Sequence, residues 1–298
     1  MGEKTDNKGK ALKVDSHTIF YGVLGDPIRH SKSPVMIGRA FREAGVNAVY
    51  GAFHVRLDQL EEAVRGVRAL GFRGVNVTIP HKVNVMPYLD ELDETAKAAG
   101  AVNTIVNEDG TLIGYNTDGI GYVRSLKEES GVSLAGARIL MLGAGGASRG
   151  VAHALAAERP ERIVIANRSV AKAEELAESV GNRARCEGIG WEGIDHIIGS
   201  VDLIVNTTPI GMHPNAEAIP VDPSRIRAGT VVSDLVYNPM KTKLLREAET
   251  RGAKAHGGLG MLVFQGAYAF EYWTGLPAPV EAMRAEVLAA FEAKENVR

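Results

Sequence analysis

The residues from Gly143 to Ser148, Gly143-Ala144-Gly145-Gly146-Ala147-Ser148, have the types and spacing to hold a pyrophosphate. They follow the apolar run 138–142 and precede a helix-like stretch over 149–158. In that order a strand ends, glycines let the backbone turn tightly against phosphate oxygens, and a helix start offers free N–H groups and a positive dipole end. The third small position of this dinucleotide fingerprint falls on Ser148 instead of Gly or Ala. A second apolar run, 162–166, ends at Asn167-Arg168-Ser169, at about the 20-residue distance where such folds meet the adenosine ribose. An acid there would bind the 2′-hydroxyl of NAD, and none is present. Arg168, with Lys172 nearby, suits a 2′-phosphate, because a guanidinium pairs in a fork with phosphate oxygens. These residues predict NADP over NAD. The plainer alternative is two solvated cations at the start of a helix.

Such a turn needs a parallel sheet to hold it, and the hydrophobic pattern supplies one. Residues 19–24, rich in aromatic and β-branched types, predict a strand closed by the turn Gly25-Asp-Pro27, with a helix over 34–44 and a strand over 47–55 after it. Leu57, Leu60, Val64, Val67 and Leu70 recur at three- and four-residue steps and predict an amphipathic helix. Further strands are expected at 74–79, 101–106 and 111–115, with helices over 91–99 and 119–129. Beyond the glycine turn, 201–205 and 230–233 predict more strands of the same parallel sheet, and helices over 261–273 and 280–294 close the pattern. The fold class is therefore α/β in two domains. A tail (1–16) read as disordered precedes an N-terminal α/β substrate domain with a mixed sheet (17–118). A Rossmann-like parallel-sheet domain for NADP follows (119–257), and C-terminal helices (258–298) return to the substrate domain.

Composition narrows the function. The 298 residues are 45% hydrophobic and 23% charged, ordinary for a globular protein. A net charge of −2 gives no electrostatic reason to expect nucleic acid or an anionic membrane as partner. No apolar run approaches the roughly 20 residues that span a bilayer. The start of the chain is polar, with Glu3 and Asp6 and no secretory core, so a cytoplasmic location is expected. The single cysteine, Cys186, leaves no intrachain disulfide, and the scattered histidines predict no metal site.

Several motifs together resemble the shikimate dehydrogenase family. They are Gly25-Asp-Pro-Ile-Arg-His-Ser31-Lys-Ser33-Pro34, Asn76-Val-Thr78-Ile-Pro-His-Lys82, Gly100-Ala-Val-Asn103-Thr, Asn116-Thr-Asp118-Gly, the glycine turn through Arg149, Asn167-Arg168-Ser169, and Gly258-Leu-Gly-Met261-Leu-Val-Phe-Gln265. They run in the family's order from about Phe20 to Gln265. The resemblance implies reversible NADPH-dependent reduction of 3-dehydroshikimate to shikimate by a monomer or homodimer. It implies that Ser31 and Ser33 hold the shikimate carboxylate; alternate residues of an extended stretch face one way, although Ser33 could instead cap the helix that Pro34 opens. Lys82 and Asp118 would exchange the hydroxyl proton as hydride leaves, while taken singly they read as a solvated loop lysine and a helix cap. Asn76, Thr78, Asn103 and Gln265 offer neutral donors and acceptors suited to a hydroxylated ring, or ordinary strand and turn bonding. Tyr237 matches a further substrate position, or packs as a plain tyrosine. Thr207 would lie beside the cofactor, Gly258 would admit the nicotinamide carboxamide, and Met261 would pack near that ring or in the core. His81, beside Lys82, reads as a packing or surface residue.

Ser169 and Lys172 stand where Thr and Arg are frequent in the family, and both keep the chemistry that a phosphate needs. The nearest rival reading is a quinate/shikimate dehydrogenase of broader specificity. A rival of another class is a non-catalytic NADPH-binding sensor, which would not need a proton-transfer pair.

Overall fold

Residues 14–295 are described by the computed structural model, and most of the expected N-terminal tail lies outside the described residues. Asp15, within that expected tail, is tied to the fold: its carboxylate accepts from the His17 N–H at 2.9 Å and the Asn47 amide at 3.0 Å.

The aromatic and β-branched run after Thr18 forms β1 (Ile19–Gly25), followed by α1 (Ser33–Glu43) and β2 (Ala48–His54). The three- and four-residue apolar stripe forms α2 (Leu60–Ala69), which buries Leu60, Val64 and Val67. Leu57 and Leu70 were expected to extend that stripe, yet both are exposed, because they lie in a 3-10 turn and at the C-cap, where the helical period no longer aims them inward. Next, β3 (Gly74–Val77) stops two residues before its expected end, where the Thr78 N–H crosses to the Leu24 carbonyl. The expected helix over 91–99 is divided. Its first residues pair with a neighbouring strand as β4 (Glu91–Leu92), and Asp93 accepts from the Thr95 N–H to cap α3 (Glu94–Ala99). Then β5 (Thr104–Glu108) and β6 (Thr111–Tyr115) form an antiparallel hairpin about Asp109-Gly110.

The chain continues through α4 (Asp118–Ser130), β7 (Arg138–Leu142), α5 (Gly146–Ala157), β8 (Arg162–Ala166), α6 (Val170–Val180), β9 (Cys186–Ile189) and the short α7 (Ile194–Ile197). It ends with β10 (Leu203–Asn206), β11 (Val231–Asp234), α8 (Lys243–Thr250), β12 (Lys254–His256), α9 (Leu259–Thr274) and α10 (Val280–Glu295). Sequence patterning had set no bounds for α6, whose start was considered at Arg168 and Lys172, and had not anticipated β9, α7, α8 or β12.

These elements make two units. The first comprises the chain up to Leu92, Val102–Tyr115, and the chain from Gly266; the second comprises Asp93–Ala101 and Asn116–Gln265. In the first, the sheet order is β2-β1-β3-β5-β6-β4, with β2, β1 and β3 parallel and β5 antiparallel to both of its neighbours. Its core gathers Tyr21, Phe41, Tyr50, Phe270 and Trp273. Tyr21 lies 4.9 Å from Phe41 and 5.1 Å from Trp273 between ring centres. The Trp273 indole donates to the Ile105 carbonyl at 2.9 Å, so the C-terminal helices complete this core, and α10 packs on α1.

In the second unit the order β12-β11-β10-β7-β8-β9 is parallel throughout. Near-continuous apolar strands are what a sheet covered on both faces requires. Ile139, Met141, Ile163, Ile165, Leu203 and Val205 enter one core, and Leu140, Leu142, Val164, Ala166 and Ile204 enter the other. Among the described residues no helix is long and apolar enough to cross a membrane, and no group of three or more His, Cys, Asp or Glu could hold a metal ion.

Asp202 fastens the entry to β10 onto β7. Its carboxylate takes the Arg138 guanidinium through both oxygens, at 3.0 and 2.9 Å, and the Arg138 N–H at 3.0 Å. The hydrogen bonds from Arg138 outweigh partial burial and hold its carboxyl down at about 2. A depressed carboxyl contributes stability above the ordinary carboxylate range that is lost as pH falls through its folded value. Asp202→Asn should therefore lower the melting temperature at pH 7 by about 2–4 °C, on the order of 1 kcal/mol for a partly exposed pair. The gap between variant and wild type should close as the pH is taken toward 2. Equal melting temperatures at pH 7 would show that the pair contributes nothing.

Candidate dinucleotide and substrate sites

In the second unit, β7 ends at Leu142 and the strand order reverses between β7 and β10, the switch point where open α/β sheets bind ligands. Gly143 turns the chain there with φ +106°, and a Cβ on it would stand 2.8 Å from Thr207 Oγ1. Only glycine fits that conformation and that gap. The following helix was expected to start at 149, but α5 starts at Gly146. Ser148 is the reason. Its hydroxyl accepts from the Gly145 N–H at 2.9 Å, so Ser148 already belongs to the first helical turn. Thr207 Oγ1 donates to the Leu142 carbonyl at 2.7 Å, which leaves Ser148 to donate to Thr207 across 2.6 Å. The serine at the third fingerprint position thus ties the glycine turn to the end of β10. A Cβ on Gly145 or Gly146 would meet nothing within 4 Å, so the space before the helix start is open to a phosphate.

Beside that turn lies a recess of ≈ 470 Å³ lined by Ala144, Gly145, Asn167, Arg168, Ser169 and Lys172, all expected cofactor positions. Arg168 and Lys172 are exposed, no acid lines the recess, and neither cation pairs with an acid among the described residues. Arg149 is occupied differently, in an ion pair with Glu175 that joins α5 to α6. An open turn at a helix start beside two unneutralised cations fits a dinucleotide carrying an extra phosphate. Ala147 sits in the first turn of α5.

At the far end of the same sheet, a Cβ on Gly258 would lie 2.2 Å from the Leu235 carbonyl oxygen, so the backbones of the 235 and 258 loops approach as only glycine permits. Met261 is partly buried and packs, with Leu235, against the core. Tyr237 is 38% exposed. Gln265 donates its amide to the Leu262 carbonyl at 2.8 Å, and its own carbonyl accepts from Thr117 Oγ1 at 3.0 Å. Thr117 is the N-cap residue of α4, so Asp118 is the first helical residue and not the cap. Asp118 is buried, and its N–H donates to Asn116 Oδ1.

In the first unit, the Ser33 N–H donates to Ser31 Oγ at 3.2 Å, bringing the two hydroxyl-bearing residues together. Lys32 between them turns away, donating to the Ala290 carbonyl of α10 at 2.6 Å and lying over the Phe291 ring. It is Lys32 that occupies the cap position of α1, without a side-chain cap, so the expected alternative of capping by Ser33 does not hold. Ser33 instead meets the hydroxyl of Tyr50, a residue that sequence reasoning missed. Burial pushes the Tyr50 phenol far above the ordinary range, and its hydroxyl donates to Asn76 Oδ1 at 2.7 Å. The Asn76 amide donates in turn to the Asn103 carbonyl and Thr104 Oγ1, so Asn76 is engaged within the protein. The available signal was a tyrosine among small residues on a strand, whose buried hydroxyl must find a partner.

Asn103 is buried beside this network, and Thr78 is half-buried just past the end of β3. His81 is fully buried with Nε2 2.6 Å from the Val55 carbonyl oxygen, which makes it the packing residue of the loop that carries Lys82. Lys82 is half-buried, and its carbonyl accepts from the Val102 N–H at 2.7 Å. It belongs to the first unit, and Asp118 to the second.

Comparison with known proteins finds three family models along the chain. The family described as "Shikimate dehydrogenase substrate binding domain" matches residues 23–105, "Shikimate / quinate 5-dehydrogenase" matches 125–213, and "Shikimate 5'-dehydrogenase C-terminal domain" matches 258–288. A relative from Geobacillus kaustophilus, named shikimate dehydrogenase (NADP(+)), is 50% identical over 91% of this chain and 98% of its own. The crystal structure of a shikimate dehydrogenase in complex with NADP+ aligns with TM-score 0.86 and 44% identity, covering 93% of this chain and 97% of that one. One from Listeria monocytogenes, in complex with shikimate and NAD, aligns with TM-score 0.88 and 38% identity, covering 93% and 98%.

The hydroxyl seam at the glycine turn can be tested alone. Ser148→Ala leaves the Gly145 N–H without its acceptor and Thr207 without its donor, so unfolding should become easier by about 1–2 kcal/mol. Urea denaturation measures this directly. An unchanged midpoint and slope would mean that the seam does not hold the turn.

Proposed function

The chain belongs to the shikimate dehydrogenase family, and on that premise we propose that it reduces 3-dehydroshikimate reversibly to shikimate with NADPH. The observation that carries the cofactor choice is the recess at Arg168 and Lys172, with two cations and no acid in its lining. NADPH, when bound, supplies the hydride. The pyrophosphate suits the turn from Gly143 to Ala147 and the start of α5, and the 2′-phosphate suits Asn167, Arg168, Ser169 and Lys172. Thr207, Gly258 and Met261 would border the nicotinamide.

Ser31 and Ser33 hold the substrate carboxylate through their hydroxyls, while Thr78, Asn103, Tyr237 and Gln265 bond the ring substituents and fix which carbon faces the hydride. Lys82 and Asp118 act as the proton-transfer pair. Ketone reduction adds a hydride at carbon and a proton at oxygen, and the pair delivers that proton; in the reverse direction it takes up the proton of the secondary alcohol. Support comes from the residue types, their place in the family motifs, and the burial of Asp118.

Steady-state kinetics with shikimate and quinate, each against NADP and NAD, test this reading. Shikimate with NADP should give the highest kcat/KM, and Lys82→Ala should lower kcat by about 10²–10⁴-fold with NADPH binding nearly intact. No turnover of shikimate by the wild type, or near-normal turnover by the variant, would defeat the reading or the pair respectively. A separate measurement addresses the cofactor. Loss of a charge-assisted bond worth roughly 1.5–3 kcal/mol should make Arg168→Ala narrow the NADP-to-NAD preference by about ten- to a hundredfold, through weaker NADP binding alone. Equal weakening of both cofactors would make Arg168 structural.

A further inference from the structure

Asp234, the last residue of β11, is 1% exposed and makes no ion pair among the described residues. Burial pushes its carboxyl up to about 6, and only hydrogen bonds oppose that rise. A buried carboxylate without a cation is an expensive way to fill space, so what it holds is informative. Asp234 Oδ1 accepts from the Asn206 amide at 2.9 Å and the Val236 N–H at 3.0 Å, and Oδ2 accepts from Thr242 Oγ1 at 2.7 Å.

All three partners are donors, which is what suits an ionised carboxylate. An asparagine here would turn its own amide toward one of them.

Each partner governs a loop. Asn206 is the register partner of Asp234 at the end of β10. Its Oδ1 accepts from the Thr208 N–H and hydroxyl, and its amide also reaches the Ile210 carbonyl, so it wraps the loop that begins with Thr207. Val236 immediately precedes Tyr237 and lies against Gly258. Thr242 closes the loop containing Tyr237 and caps α8 through the Leu245 N–H. The two loops also meet directly, the His213 N–H donating to the Asn238 carbonyl at 3.2 Å.

We propose that Asp234 is a positioning residue, one carboxylate that fixes the two strand-end loops carrying Thr207 and Tyr237 and, through the Leu235 backbone, the approach of Gly258. The proposal rests on the shikimate dehydrogenase reading for what those loops do. It does not rest on it for how they are held.

The test compares Asp234→Ala and Asp234→Asn with wild type. In each, kcat and shikimate KM with NADP, the NADPH dissociation constant, and amide hydrogen exchange at Thr208, Ile210 and Val236 are measured. Asp234→Ala should lower kcat and raise shikimate KM, for at least a tenfold loss in kcat/KM, and should speed exchange at all three amides. NADPH affinity should fall by less than kcat/KM does, because the loops that Asp234 holds border only the nicotinamide end, while β8, which leads to Arg168, lies three strands away, about 14 Å across the sheet. Asp234→Asn keeps two of the three contacts and should recover kcat to within about threefold of wild type, which a role of the charge itself would not allow. If Asp234→Ala fails to fold, Asn206→Ala removes the partner amide instead and should show the same split between kcat/KM and NADPH affinity.

Unchanged kcat and KM with only a lower melting temperature would reduce Asp234 to a structural group and overturn the proposal. So would unaltered exchange at the three amides. A wild-type enzyme inert toward shikimate would defeat the functional reading alone, since exchange at those amides still reports on the clamp.

Discussion

A parallel sheet buried on both faces has to stop, and at each stop backbone groups leave the ladder with water excluded on either side. Unpaired, each would cost on the order of 1–3 kcal/mol. In the second unit the first residue past each of the four inner strands, β7, β8, β10 and β11, reaches back to its neighbour. The Gly143 N–H donates to the Ala166 carbonyl, Thr207 to Leu142, Asn167 to Ile189, and Leu235 to Asn206, all at 2.8–3.1 Å. Side chains then complete the ending, with the Ser148–Thr207 hydroxyls on one side and the Asn206–Asp234 pair on the other. The bonds that terminate the sheet are thus the ones that aim the loops. The cofactor and substrate positions proposed for this unit fall there, where the backbone is most tightly determined yet no longer part of the ladder.

The first unit meets the same demand with different material. Its sheet changes from parallel to antiparallel at β3, and the polar groups behind that change are buried. Tyr50, Asn76 and Thr104 link β2, β3 and β5 through their side chains, and the chain of bonds runs from Ser33 at one end to Asn103 at the other. A satisfied buried network of this kind rigidifies what it joins. Ser33 and Asn103 are therefore mechanically connected although 70 residues separate them in sequence.

Much of this was legible in advance because it is local. The runs at 138–142 and 162–166 became β7 and β8 without a shift of boundary, and the glycine turn with its two cations was read from types and spacing. What escaped is what depends on distant neighbours. Ser148 looked like a blemish in a fingerprint until Thr207, 59 positions on, supplied its acceptor. Asn76 looked like a ligand for a hydroxylated ring until Tyr50 and Thr104 occupied its amide. The elements β9 and β12 were missed because outer strands of a sheet carry fewer apolar residues; Cys186-Glu-Gly-Ile and Lys254-Ala-His show no run to detect. Capping positions shifted by a residue, to Lys32 and Thr117, and neither of these side chains makes a capping hydrogen bond.

The first unit is discontinuous in the chain, and that has a consequence for biosynthesis. Its sheet is complete once Tyr115 has been made, but Phe270 and Trp273 of the later part of α9, and Met283 of α10, which complete its core, are translated only after the whole second unit. A nascent chain halfway through synthesis therefore carries a finished sheet with an uncovered aromatic face, the kind of surface that recruits chaperones or sticks to its own copies. The second unit lies between and has no such debt to the C-terminal helix α10. Assembly on the ribosome would run from the middle outward, with the domain encoded first being the last to close.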